Sequence, residues 1–255
     1  VKLAALYTVF NALELLDGSI QQINNDVDVI IIGWQEHSHY GQRSEEIEPF
    51  VKKLKRKYKK VVLFEFKPRA DKDKKREERR KHNQMIRVAQ SEGCTHFFFS
   101  ATDHYYETKQ FKAAKLKATQ YDVTASKMYT YFKKPEWRLD PIESYYMPFI
   151  CKLKVNMSYC RDTGGEWNVY VDPALCIVPN DSFYEFTENE LMMHHYSFVR
   201  KDIGDKLKNA AARVNFNNKI EGIIKSYESY NGSGVVPYYP NHKVKSVDNL
   251  FNINL

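Results

Sequence analysis

The chain opens with alternating blocks of apolar and polar positions. LAALYTVFN (3–11) reads as a short buried strand ending in a polar turn. Residues 13–23 place Leu13, Leu16, Ile20 and Ile23 at helical spacing. VDVIIIGW (27–34) is an apolar, β-branched run of strand length, as in strands covered on both faces. Residues 45–58 read as a helix with Ile47, Phe50, Val51, Leu54 and Tyr58 on one side, and VVLFEF (61–66) as a strand. A charged stretch, 67–82, leads into a helix around 77–92 carrying Met85, Ile86, Val88 and Ala89, closed by Gly93 as its C-cap. Residues 94–100 form the next strand. The order β-α-β-α-β-α-β predicts an α/β, Rossmann-like fold with a mostly parallel central sheet flanked by helices.

The second part is less regular. Residues 107–119 look helical (Phe111, Ala114, Leu116, Ala118), and 123–132, 145–156 and 167–178 read as strands. Turns fall at Lys134-Pro135, Asp140-Pro141 and Gly164-Gly165. Residues 188–203 and 205–228 read as helices. From Asn231 the chain is rich in Asn, Gly, Ser and Pro, the pattern of an extended or poorly ordered arm. No internal repeat or Pro-rich linker divides the chain. The expected organisation is one domain over 1–230, with halves 1–106 and 107–230, and a tail over 231–255.

Composition narrows the picture. With 255 residues, 43% of them hydrophobic, the chain can build a substantial core. There is no apolar run of 18 residues, so no membrane-spanning helix is expected. The apolar start lacks a small-x-small cleavage site, and Glu14 and Asp17 follow at once, so it reads as a buried strand rather than a signal peptide. A cytoplasmic location is expected, the host's cytoplasm for a viral protein. Cys94, Cys151, Cys160 and Cys176 form no CxxC pair and read as reduced thiols. The 18 Tyr and 15 Phe suit stacking on bases or sugars, and equally a ring-rich core. The net charge of +7 is local: residues 52–81 hold sixteen Lys or Arg against five Asp or Glu, and the remainder is net acidic. Such a run attracts phosphate-bearing ligands, nucleic acid or another anionic polymer, or is a solvated helix face.

In open parallel sheets ligands bind beyond the carboxyl ends of the strands. That rule selects 9–14, 33–43, 67–83 and 100–107. None contains a GxGxxG or P-loop pattern, which disfavours a dinucleotide oxidoreductase or a P-loop kinase. A divalent metal is the usual substitute for a phosphate-binding loop, and Asp103, directly after the strand HFFFS, sits where a metal ligand would be useful, though by itself it reads equally as a helix N-cap or turn Asp. The pair His194-His195, beside Tyr196, Ser197 and Arg200, is the second candidate cluster, or else one core and one surface histidine of a helix-like segment.

These segments resemble the nucleotide-sugar glycosyltransferases of the GT-A fold, in particular small soluble GT2-like enzymes of viruses and bacteria. The resemblance covers roughly residues 3–210. It rests on LYTVFNALELLDGSI, GWQEHSHYGQ and EGCTHFFFSATDHYY, and on the later YYMPFI, YVDP and MMHHYSFVRKDIGDKL. It implies that 1–106 is a nucleotide-binding half and 107–230 an acceptor half. In that family an Asp-x-Asp motif follows the strand matching HFFFS and holds the metal that bridges the donor's phosphates. Here the triplet is Ala101-Thr102-Asp103: the first Asp is missing and the second is kept. The resemblance implies Mn²⁺ or Mg²⁺ on Asp103 and on His195, with His194 as second choice. Arg200 and Lys201 would contact the diphosphate. Thr8, Phe10, Asn11 and Glu14 would sit by the base, Gln35 by base or ribose, and Lys81, His82, Asn83 and Thr102 by the phosphates and sugar. Candidate bases are Asp162, Asp172, Glu188 and Glu190.

The implied activity is hexosyl or pentosyl transfer from a nucleotide sugar, a UDP-sugar first, to a hydroxyl of a glycan or of a hydroxymethylated DNA base. The alternatives are a non-catalytic nucleic-acid-binding α/β module, which shows no helix-turn-helix, zinc-finger or RNP-like motif, and a nucleotidyltransferase, which would carry an early Gly-rich phosphate loop.

Overall fold

The computed structural model describes residues 1–69, 71–144, 146–154, 182–210, 213 and 219–255. The run Leu3–Val9 forms β1, and its side chains alternate between two cores. Leu3, Ala5, Tyr7 and Val9 enter one, while Ala4 and Leu6 enter the other. A strand buried on both faces needs helices on both sides. The next elements supply them: α1 (Leu13–Ile23), β2 (Val29–Trp34), α2 (Ile47–Lys57), β3 (Val61–Glu65), α3 (Lys74–Ser91) and β4 (His96–Ala101). α1 and α2 send Leu16, Ile20, Ile23, Ile47, Val51 and Leu54 into the first core. α3 sends Met85, Ile86 and Ala89 into the second. A Cβ at Gly33 of β2 would collide with the Met85 side chain, so α3 lies directly on the strand. Asp73 caps α3, accepting the Arg76 N–H at 2.8 Å, and Gly93 ends it with a φ of 69°.

β1 pairs in parallel with β2 on one side and β4 on the other, and β2 pairs in parallel with β3. The chain therefore leaves β1 in one direction and later returns beside it in the other. This makes a topological switch point, with a crevice between the β1 and β4 carboxyl ends. The basic run does not form one face. Its first part lies on α2 and its second on α3, helices that cover opposite faces of the sheet.

The remaining elements are β5 (His104–Tyr105), α4 (Thr108–Ala118), β6 (Val123–Ser126), β7 (Met128–Phe132), β8 (Trp137–Asp140), β9 (Met147–Lys152), β10 (Phe183–Glu185), β11 (Met193–Phe198), α5 (Ile203–Asn209), α6 (Ile220–Ser229) and β12 (Lys243–Ser246). They complete a seven-stranded sheet, β10-β6-β9-β4-β1-β2-β3, with β9 antiparallel to both neighbours, and build a five-stranded sheet, β12-β8-β7-β11-β5.

Several expectations change here. The stretch 123–132 is two strands, which part at Lys127 to join different sheets. Residues 188–203 are not a helix: β11 runs through them, parallel to β7 and antiparallel to β5. The segment 205–228 is not one helix, because α5 stops at Ala210 in extended conformation and α6 starts at Ile220. The strand expected over 167–178 lies outside the described residues, as do Cys160 and Cys176, while Cys94 and Cys151 are buried free thiols. The tail packs against the molecule. β12 pairs antiparallel with β8, Phe251 meets the Tyr105 and His194 rings, and Ile253 is buried. No helix among the described residues is long and apolar enough to cross a membrane.

Candidate active site

Two strand pairings create the site. β4 delivers Ala101 to the crevice, Thr102 and Asp103 turn the chain, and β5 continues it into the second sheet. There β5 meets β11 in antiparallel register, His104 opposite His195 and Tyr105 opposite His194. The Tyr196 N–H donates to the Asp103 carbonyl at 2.9 Å and locks the junction. Residues ninety positions apart in sequence thereby become neighbours at the mouth of the crevice.

Successive side chains of a strand point to opposite faces, which separates the two histidines. His195 turns toward Asp103, its Nε2 lying 3.7 Å from Oδ2. His194 turns away: its Nδ1 is 2.8 Å from the Tyr131 hydroxyl, and its ring packs on Tyr131 and Phe251. His194 is thus a core residue of the second sheet and is withdrawn from the metal candidates. His104 takes its place. Donor atoms of Asp103, His104 and His195 lie within 4.8 Å of one another. One carboxylate with two imidazoles suits a borderline divalent ion such as Mn²⁺. His195 Nε2 and His104 Nε2 both face the Asp103 carboxylate, so Asp103 and His195, with His104 alongside, fit such an ion.

Cations surround the carboxylate. Arg200 Nη2 donates to Asp103 Oδ2, Arg200 Nε donates to the Ser197 carbonyl at 3.0 Å, and Nη1 is buried without a partner. Lys206 Nζ lies 3.8 Å from Oδ2 and donates to the Ser197 carbonyl and hydroxyl. Burial raises the Asp103 carboxyl, but Arg200, His195 and Lys206 together hold it well below the usual carboxylate range. Burial, with Arg200 beside it, pushes Lys206 down to about 7, and burial next to His195 pushes His104 down to about 3.

The cavity at this crevice has a volume of about 280 Å³. Of the residues singled out from sequence, Thr8, Phe10, Asn11, Gln35, Lys81, His82, Thr102, Asp103, His195 and Arg200 line it. Lys81 and His82 reach it from the middle of α3, not from a loop. Lys81 is buried, donates to Gln35 Oε1 at 3.0 Å, and is pushed down to about 8 by that burial. Asn83, Glu14 and Lys201 do not line it; Glu14 accepts the Lys201 N–H at 3.2 Å. Glu190 is bound by Lys117, Tyr184 and Thr187, and Glu188 faces Lys127 at 3.5 Å, so neither reaches the cavity. Asp162 and Asp172 lie outside the described residues. Sequence reasoning missed His39, Glu78, His104, Lys206 and Asn209, which also line the cavity. Only the pairing of β5 with β11 and the return of α5 bring the last three there.

No family model matches the chain, and no curated protein matches it in sequence. Among solved structures it is similar to residues 1–349 of S. aureus TarS, at 11% identity and a TM-score of 0.51, over 89% of this chain and 70% of that one. The same TarS fragment in complex with UDP aligns at 12% identity and a TM-score of 0.39, over 51% of this chain and 36% of that one. The mannosyltransferase PcManGT from Pyrobaculum calidifontis, in complex with GDP-Man and Mn²⁺, aligns at 13% identity and a TM-score of 0.38, over 52% of this chain and 36% of that one. The chain thus spans about a third of the length of the first of these complexes. The architecture is that of the GT-A-like α/β fold, with a central, mostly parallel sheet and six helices among the described residues.

Proposed function

We propose that this protein transfers a glycosyl group from a nucleotide sugar, a UDP-sugar first, to an acceptor hydroxyl on a glycan or a modified DNA base. The observation that carries the reading is the convergence of Asp103, His104 and His195 at the β1–β4 switch point, in a cavity that also presents Arg200, Lys206 and Lys81. A nucleoside diphosphate leaves with its charge exposed, and a site for it needs fixed positive charge and little water. When bound, a divalent cation on Asp103 and His195 would supply Lewis-acid stabilisation of that leaving group. The protein's own share is to hold the diphosphate from Arg200, and the nucleoside between Phe10, Asn11, Gln35 and Lys81. The crevice runs across β4, β1 and β2, two strand spacings or roughly 10 Å, which suits a nucleoside diphosphate laid across the strand ends.

The test is thermal stabilisation of the protein by nucleoside diphosphates and nucleotide sugars, with Mn²⁺, Mg²⁺ or EDTA, beside a His195→Ala variant. A ligand that binds the native state raises the melting temperature as its concentration exceeds Kd. Stabilisation by one nucleoside diphosphate, with its metal-dependent part lost in the variant, is expected. No stabilisation by any of them would sink the reading.

A further inference from the structure

We infer that Lys206 binds the donor's diphosphate directly, so that a nucleoside diphosphate binds this site without any divalent metal. The inference rests on the nucleotide-sugar reading and goes beyond it, because it assigns a residue and a charge balance that the Asp103 cluster alone does not imply. Asp103 offers one negative charge to two cations, Arg200 and Lys206. Arg200 is the committed partner, bonded to Oδ2 and held in line by the Ser197 carbonyl. Lys206 stands too far from the carboxylate, at 3.8 Å, for a hydrogen bond.

The ammonium is nevertheless fixed in place. Its Nζ donates to the Ser197 carbonyl and hydroxyl and sits over the Phe198 ring, 5.1 Å from the centroid. Lys206 and Arg200 both line the cavity, and Arg200 Nη1 is buried without a partner. Two cations beside one carboxylate are costly to hold in this crevice unless a ligand brings further negative charge. A diphosphate brings several acceptor oxygens and the negative charge that balances the second cation. The backbone arranges this with little freedom. Ser197 belongs to β11, next to His195 and Tyr196, so the strand that presents the imidazole also anchors the ammonium.

Calorimetric titration of UDP into the whole protein, in EDTA and in Mn²⁺, tests this. The wild type should bind UDP in EDTA within about tenfold of its affinity in Mn²⁺, and about thirtyfold more tightly than it binds uridine. Lys206→Met should weaken UDP binding in EDTA about thirtyfold, and less in Mn²⁺, while Lys206→Arg should stay close to the wild type. Melting curves without ligand show whether the variants fold, and the UDP-to-uridine ratio needs no variant at all. Binding in Mn²⁺ that vanishes in EDTA would overturn the inference while leaving the nucleotide-sugar reading intact. So would equal affinity for UDP and uridine in EDTA. Absence of binding by UDP, GDP, CDP and ADP under both conditions would overturn both.

Discussion

The central strands of the seven-stranded sheet bury apolar side chains on both faces: β2 is buried along its whole length, and β4 stacks Phe97, Phe98 and Phe99 between helices. The five-stranded sheet buries rings with polar tips instead. Tyr105, Tyr131 and Tyr196 pack together, the last two stacked at 4.3 Å, and His194 lies buried beside them. The first sheet is held by volume and supplies a rigid platform. The second adds buried hydrogen bonds to its own packed clusters and presents His195 at the cavity. Asp103 stands on the hinge between them.

The sharpest way to separate the two is one substitution in each. Phe98→Ala removes a ring packed against Tyr106, Phe111 and Phe149, and should cost about 3–5 kcal/mol of stability in urea unfolding. Asp103→Asn leaves Arg200 and Lys206 without their counter-charge and should cost a similar amount, about 3–5 kcal/mol. The two losses should respond differently to anions. Measured against the wild type in the same buffer, millimolar pyrophosphate should shrink the Asp103→Asn loss and leave the Phe98→Ala loss unchanged. Equal rescue of both would mean that the charge at the hinge does not contribute in the way described.

A smaller effect tests the face rule inside the second sheet. His194 and His195 are neighbours in sequence, and β11 sends them to opposite sides. His194→Ala should destabilise by about 2 kcal/mol, through loss of ring packing and an orphaned Tyr131 hydroxyl, with UDP binding in Mn²⁺ unchanged. His195→Ala should leave unfolding nearly unchanged and lower the Mn²⁺-dependent part of UDP binding. An exchange of these outcomes would place the wrong histidine at the site.

That pair also shows where sequence was legible and where it was not. β1 to β4 and their helices could be read directly, because buried parallel strands are short apolar blocks and α1 carries a clean 3.6-residue stripe. Asp103 followed from the rule about strand carboxyl ends. β11 was misread for a physical reason. Met192, Tyr196, Val199 and Ile203 fall at helical spacing, while burial of both strand faces erases the alternation that marks a strand. Pairing with β7 and β5 overrides the local preference, and no local signal encodes such pairing. His104 and Lys206 were missed for the same cause. His104 sits on a two-residue strand, and Lys206 is one of two lysines on a short helix. Each gains a role only from a contact nearly a hundred residues away.

The smallest expected effect concerns Lys81, where the platform contributes a charge of its own. Burial holds this lysine down at about 8, well below an exposed lysine. Below pH 8 it is an ammonium that can donate to a phosphate or a base carbonyl; above pH 8 it is a neutral amine. An anionic ligand prefers the charged form, so UDP affinity should fall as pH rises through about 8, by about tenfold, or roughly 1.4 kcal/mol. Lys206, which titrates lower, contributes its own slope near pH 7. The comparison is therefore between the wild type and Lys81→Met, each titrated with UDP from pH 7 to 9. The variant should bind more weakly at pH 7 and lose less affinity across that range. Parallel curves would show that Lys81 does not face the ligand, leaving the seven-stranded sheet as a platform without a charge in the binding step.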